Sequence, residues 1–368
     1  MTTEITLPQW YDLHTHFRQD ETLPATVADH VAMHCSGALA MPNTAPPVGK
    51  IFEADNVANY KSVEQYRKEI LTAAGGAFTD VIVPLYLTQD TTAEMIEKGA
   101  AAGLLKACKY YPPHGTTGAE FGAPLDRFMN NGVFQAMQDA GVTLCIHGEE
   151  HGLTPERYFD RGENAEEIFY KERMPRLVDN FPQLRIVGEH LTTKTGVDFI
   201  LAAPDHVKAN ITPQHLIYTI GNLLNGLKYH LYCLPLVKFD ADRTALRNAA
   251  TAPDNTKFFA GTDSAPHTRK TTPCGCAAGC YTGGIAPQLY AQAFEMAGID
   301  LDAADGQAVL QKFLCTIGRE FYNLPKPEKT FTLERLPEKL RPLEIGGQTI
   351  IPLPLGMECE LPWRIKPC

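Results

Sequence analysis

Two histidines stand two residues apart near the start of the chain, in Tyr11-Asp12-Leu13-His14-Thr15-His16-Phe17-Arg18. On a strand, residues two apart face the same way at a spacing of roughly 6.6 Å. Imidazoles leaning together from that separation can converge on one divalent ion at about 2.0–2.1 Å. An ordinary pair of histidines at a strand edge is spelled the same way, so the pair needs partners. His147 closes Leu144-Cys-Ile-His147, His190 closes Ile186-Val-Gly-Glu-His190, and Asp263 follows Phe258-Phe-Ala-Gly-Thr262. Each ends an apolar run. Singly, each reads as a rim histidine or a helix-capping aspartate. Four histidines and one aspartate at equivalent places argue for a metal site, and these ligand types suit zinc or a similar ion.

A lysine completes the set. Leu104-Leu-Lys-Ala-Cys-Lys-Tyr-Tyr-Pro112 carries Lys106 and Lys109, three apart and so on opposite faces of a strand. A lysine turned inward loses solvation and its pKa falls. The neutral amine is then a nucleophile able to react with carbon dioxide. Both lysines could equally snorkel to water, and spacing does not choose between them.

These residues need a scaffold that gathers strand ends. Apolar runs fall at 10–16, 37–41, 80–87, 103–110, 142–147, 184–190, 207–211 and 257–262. Helix-period stretches separate most of them, at 23–35, 52–73, 92–101, 127–140, 165–181 and 193–202. Strands alternating with helices predict a parallel sheet. Eight such units predict an α/β (β/α)8 TIM-type barrel, whose active site lies at the C-terminal ends of the strands. The stretches 212–236 and 264–284 read as long functional loops. The tail from 326 to 368 is Pro-rich and turns at Gly346-Gly347. It reads as a C-terminal extension with short strands. One domain is expected over 1–368, with the barrel at about 9–325.

The 368 residues carry a formal net charge of −10. That balance argues against nucleic acid or an anionic membrane as partner. The sequence shows no secretory signal and no apolar run of membrane-spanning length. Ten cysteines in such a chain read as reduced thiols in the cytoplasm.

The motifs then converge on a family. His14-Thr-His-Phe-Arg18, Met41-Pro-Asn-Thr-Ala-Pro-Pro47, Lys109-Tyr-Tyr-Pro112 with Thr116-Thr117, and Leu144-Cys-Ile-His-Gly-Glu149 come first. Glu189-His-Leu-Thr-Thr193, Ile211-Thr-Pro-Gln-His215, His230-Leu-Tyr-Cys-Leu-Pro235 and Gly261-Thr-Asp-Ser-Ala-Pro-His267 follow in order. Together they resemble the dihydroorotases, in the compact class II form within the amidohydrolase superfamily. The likeness runs from about residue 9 to about residue 325.

The resemblance implies two zinc ions per subunit. His14 and His16 bind one with Asp263, and His147 and His190 bind the other. Lys109, as N6-carboxylysine made with carbon dioxide, bridges the two, as does a hydroxide. Lys109 matches rather than Lys106 because it stands directly before Tyr-Tyr-Pro. Arg18, Asn43 and His267 take the substrate carboxylate. Thr116 and Thr117 lie on a loop that closes over ligand, and Leu234 and Ala277 contact the ring through backbone. Asp263 doubles as the catalytic proton carrier. The implied reaction is reversible cyclisation of N-carbamoyl-L-aspartate to L-dihydroorotate plus water, in pyrimidine biosynthesis, by a cytoplasmic homodimer. Residue 15 and the residues after Arg18 depart from many relatives, and the loop 274–280 is one residue longer than in some.

Other features weigh less. Cys274, Cys276 and Cys280 offer three close sulfurs at a spacing atypical for structural zinc. His30, His34, His114, His151, His206, His215 and His230 read as surface or structural. Asp12 shares the face of His14 and could support it. Two rivals stand beside the main reading. Hydantoinase-like or allantoinase-like enzymes lack the Arg18, Asn43 and His267 set. A barrel scaffold that had lost its metals would be expected to have lost ligands, and all six positions are filled here.

Overall fold

The computed structural model describes residues 3–57 and 59–367. Besides the parallel pair Val48–Lys50 and Lys61–Ser62, strands parallel to one another form two sheets. The larger runs in the order Phe258–Ala260, Val207–Ile211, Ile186–Gly188, Thr143–Ile146, Ala107–Tyr110, Leu85–Tyr86. The smaller is Trp10–Thr15, Cys35–Ala40, Asp80–Ile82. All pairings within both sheets are parallel. The expected run 80–87 is therefore two strands, one in each sheet. Val83-Pro84 separates them, and proline has no N–H to give a ladder. At the far sides the sheets also meet, since Asp263 N–H donates to His14 O (2.8 Å) and His16 N–H to Ser264 O (3.0 Å).

Helices follow most strands and begin on side-chain caps. Ser62, Thr92, Asn164, Thr193 and Thr212 each accept from a backbone N–H in the first turn of the helix that follows. Three helix expectations change in detail. The stretch 52–73 is helical only over Val63–Ala73, because Asp55 captures the Phe52 N–H at 2.9 Å and turns the chain first. The stretch 127–140 divides into Leu125–Asn130 and Val133–Ala140 at Gly132, whose φ is 84°. Between Ala165–Ile168 and Met174–Asn180 the chain widens to a π-helical turn. The supposed loop 212–236 contains helices Pro213–Ile217 and Ile220–Leu224. A further helix, Asp240–Thr251, was not anticipated.

The tail does form short strands. Leu343–Ile345 pairs with Gln348–Ile350 around Gly346-Gly347, both at positive φ, as a tight hairpin requires. Thr330–Glu334 pairs antiparallel with Glu4–Pro8, in register from Glu4↔Glu334 to Pro8↔Thr330. The two ends of the chain thus share one small sheet, which Arg364–Ile365 extends. Trp10 anchors that end of the core: it is fully buried, and its indole N–H donates to Met33 O at 2.9 Å. None of the described helices is long and apolar enough to cross a membrane.

Candidate metal centre

His14 and His16 sit at the C-terminal end of their strand, buried, with ring centroids 5.6 Å apart. Asp263 meets both: its Oδ1 lies 2.9 Å from His16 Nε2 and 3.3 Å from His14 Nε2. The potential ligand atoms of these three residues all fall within 4.8 Å of one another. The rings continue outward. His14 to His190 is 5.0 Å and His190 to His147 is 4.6 Å between centroids. Four imidazoles contributed by three strand ends therefore form one connected buried cluster.

The second ring nitrogens show how the rings are held. His14 Nδ1 faces the Glu189 carboxylate. His16 Nδ1 donates to Asn43 Oδ1 at 2.7 Å. His147 Nε2 donates to Glu149 at 2.9 Å. In each ring the proton goes to the carboxylate or amide, which leaves the other nitrogen's lone pair for a metal. Glu189 and Glu149 appeared in the sequence only as neighbours within motifs. A signal was present, since both lie within two residues of a ligand histidine. Strand alternation, however, would turn Glu189 away from the face of His190. The chain escapes that rule because His190 takes φ +41°. Asn210 bridges the pair by donating to Glu189 and accepting the His190 N–H at 2.6 Å.

Lys109 and Lys106 separate as their spacing requires. Lys106 reaches Asp80 at 2.6 Å near the surface. Lys109 is fully buried, and its Nζ has no hydrogen-bond partner among the described residues. His190 Nδ1 is likewise unpartnered. Leaving such groups buried and unsatisfied is costly, so both call for something the polypeptide does not supply.

Most of the electrostatics agree, and His14 is the exception: burial lowers its pKa, but Glu189 and Asp263 outweigh that and the net direction is up. Burial pushes Lys109 below the usual lysine range, against the pull of Glu189 and Asp263. Burial and the neighbouring His147 and Lys109 hold His190 well below its ordinary value. Burial brings His16 down to about 4. For Asp263, burial pushes upward, but the His14 and His16 rings against it outweigh that and hold the carboxyl well below the usual range. The directions at His16 and His190 favour neutral imidazoles, that at Lys109 favours the free amine and that at Asp263 favours the carboxylate, which are the forms that ligate metal or react with carbon dioxide.

Beside this cluster lies a cleft of about 720 Å³ that Arg18, Asn43, Thr117 and His267 help to line. Arg18 Nη2 is 3.3 Å from His267 Nε2. Burial, then Arg18, lowers His267 to about 3, so its ring is neutral. Arg18, His190 and Asp263 all occupy positive φ, a strained backbone region for such residues. Asn43 is already engaged, since its Nδ2 donates to Thr117 O at 2.9 Å while its Oδ1 holds His16. Thr116 sits in the same turn and accepts the Ala119 N–H at 3.2 Å. Leu234 is partly buried beyond Cys233. Ala277 has its N–H on Lys270 O (2.8 Å) and its carbonyl on Lys270 Nζ (2.7 Å). Only the second lone pair of that carbonyl is left for a ligand.

The remaining features take structural places. Asp12 accepts from Thr262 and His30 and faces the His14 N–H at 3.3 Å, so it braces the ligand strand. His30 and His215 are buried and hydrogen-bonded within the fold. Cys274, Cys276 and Cys280 form no metal-ligating group among the described residues.

No protein-family model matches the chain. The chain is 39% identical to the dihydroorotase of Picosynechococcus sp. over 371 residues, covering 99% of each. It is 39% identical to that of Pseudomonas syringae pv. tomato over 378 residues, covering 100% of this chain and 99% of the relative. Among solved structures, the Saccharomyces cerevisiae dihydroorotase in complex with 5-fluoroorotic acid superposes with a TM-score of 0.84 at 26% identity, covering 99% of this chain and 98% of that one. A Brevibacillus agri dihydropyrimidinase shares the fold, with a TM-score of 0.68 at 13% identity over 98% of this chain and 82% of that one.

Fold and site together define a metal-binding hydrolase of the amidohydrolase superfamily. Within that superfamily the chain belongs to the dihydroorotase family.

Proposed function

We propose that this protein catalyses the reversible cyclisation of N-carbamoyl-L-aspartate to L-dihydroorotate with release of water. One observation carries the reading: the His14, His16 and Asp263 group adjoins a buried, unpartnered Lys109 and opens beside the Arg18–His267 cleft. We read the two parallel sheets as one closed eight-stranded barrel within a single domain, with Asp80–Ile82 and Leu85–Tyr86 counted as one broken strand. The hydrogen bonds between residues 14–16 and 263–264 support that closure.

The donor set fits a pair of zinc ions. His14, His16 and Asp263 would hold one, His147 and His190 the other, and carboxylated Lys109 would supply one oxygen to each. When bound, the metals supply Lewis acidity and a nucleophile at neutral pH. The protein's own groups do the rest. Arg18 offers a planar fork to the substrate carboxylate, with His267 and Asn43 at its sides. Thr117 lines this cleft and, with Thr116 beside it, would close over the ligand, while the backbone at Leu234 and Ala277 would contact the ring. Asp263 moves one proton. In hydrolysis it accepts a proton from the attacking oxygen and passes it to the leaving ring nitrogen. In synthesis it takes the proton from the ureido nitrogen instead.

The test couples zinc quantitation to an ultraviolet assay of dihydroorotate interconversion. Two zinc ions per chain with turnover in both directions are expected. Zinc-replete protein that hydrolysed neutral hydantoins and left dihydroorotate untouched would overturn the reading.

A further inference from the structure

Lys270 stands three residues after His267 and has no carboxylate partner among the described residues. Its Nζ donates instead to three backbone carbonyls: Tyr232 (2.8 Å), Ala277 (2.7 Å) and Gly279 (2.6 Å). Three acceptors match the three N–H bonds of an ammonium, where a neutral amine has only two. The remaining gap, bordered by His230, His267 and Ile350, is about 30 Å³. That is room for a water molecule and not for a counter-anion.

The three carbonyls belong to two different loops. Gly279 N–H also donates to Tyr232 O at 2.9 Å, and His267 Nε2 donates to Ala278 O at 2.8 Å. The ammonium thus fastens Tyr232 to the 277–279 segment, which His267 grips separately at Ala278. Those two loops carry the backbone that the proposed function turns toward the ring. Burial, with Arg18 adding to it, lowers the Lys270 pKa from its ordinary value, while the three carbonyls favour the charged form; that charge is close enough to lower His267.

We propose that Lys270 is a positioning residue for the anionic substrate: its ammonium sets the ring-facing wall and adds uncompensated positive charge behind the carboxylate site. This rests on the functional reading above. Nothing in the proposal routes a proton or a metal through Lys270, so its loss acts on binding.

The experiment compares the full-length, zinc-loaded wild type with Lys270→Met and Lys270→Arg. Binding is read with orotate, a ring-closed monocarboxylate that does not turn over, by calorimetry and by competitive inhibition. Lys270→Met is expected to weaken orotate about tenfold, with a parallel rise in KM for dihydroorotate, unchanged zinc content and kcat within about threefold. Lys270→Arg keeps the charge and is expected to restore most of the affinity. Unchanged orotate affinity in Lys270→Met overturns the proposal, as does a fall in kcat and zinc at constant KM. If the methionine variant does not fold, Lys270→Gln, which keeps two N–H donors, is judged by the same criteria. Wild type that binds orotate without interconverting dihydroorotate refutes the functional reading and leaves the role of Lys270 to the binding data.

Discussion

His16 donates from Nδ1 to Asn43 Oδ1 at 2.7 Å, and Asn43 spends its Nδ2 on the Thr117 carbonyl at 2.9 Å. One amide thus fixes a ligand tautomer and tethers the loop above the cleft. Asn43→Ala is expected to weaken zinc binding by about 10- to 100-fold, the usual cost of losing a partner that orients a ligand. Competition against a chromophoric chelator measures it. Wild-type affinity would show that the His16 orientation is set elsewhere.

Lys109→Ala removes the amine that stands buried without a partner. The variant is expected to lose at least one zinc per chain, by elemental analysis. A short carboxylic acid added at high concentration should restore part of the metal and part of the rate. Full zinc content without it would rule out a bridging role.

Asp263→Asn keeps an oxygen near His14 and His16 but gives up the carboxylate they face. Substantial zinc is expected to remain, while kcat falls by roughly 10²–10⁴, the range for losing a positioned proton carrier. Near-wild-type turnover would place proton transfer on another group.

Arg18→Ala acts on binding. The lost fork is expected to cost roughly 2–5 kcal/mol, as for truncating one side of a buried charge pair. The effect should appear as a raised KM for dihydroorotate. Ordinary saturation behaviour would sink the carboxylate assignment.

Asp80 predicts a pH effect on stability. Burial pushes its pKa up, but hydrogen bonds from Lys106 and Arg67 outweigh that, and the net direction is down. A lowered folded-state pKa gives stability that is present above the unfolded value, about 3.9, and lost as pH falls below it. The urea midpoint should therefore drop below about pH 4. Asp80→Asn should flatten part of that drop and cost ~1 kcal/mol near neutrality, since both cations are partly exposed. An unaltered acid limb in the variant would remove Asp80 from the account.

Much of this was legible in one dimension because local chemistry is local. His14 and His16 share a face through the two-residue strand period. Ser62 and Thr193 cap helices with their own side chains, and Gly346-Gly347 turns a hairpin without outside help. The ends of apolar runs marked His147, His190 and Asp263, since strands must stop where the polar site begins. Where local signals competed, the reading slipped. The helical pattern at 52–62 yielded to an aspartate turn, and Val83-Pro84 divided one strand between two sheets.

The sequence by itself carried the His14, His16 and Asp263 ligand types and the placement of His147 and His190 at the ends of apolar runs. Strand spacing left two lysines open and the motif resemblance pointed to Lys109; the tertiary structure supplied the physical reason, giving Lys106 to Asp80 and leaving Lys109 buried with no hydrogen-bond partner among the described residues. It also decided which nitrogen His14, His16 and His147 present, as where Glu189 reaches His14 from 175 positions along the chain. Side-chain periodicity encodes the face a residue takes on its own strand. It carries nothing about what a distant strand brings to that face, and burial beside those partners shifts the proton affinities of His14, His16 and Lys109.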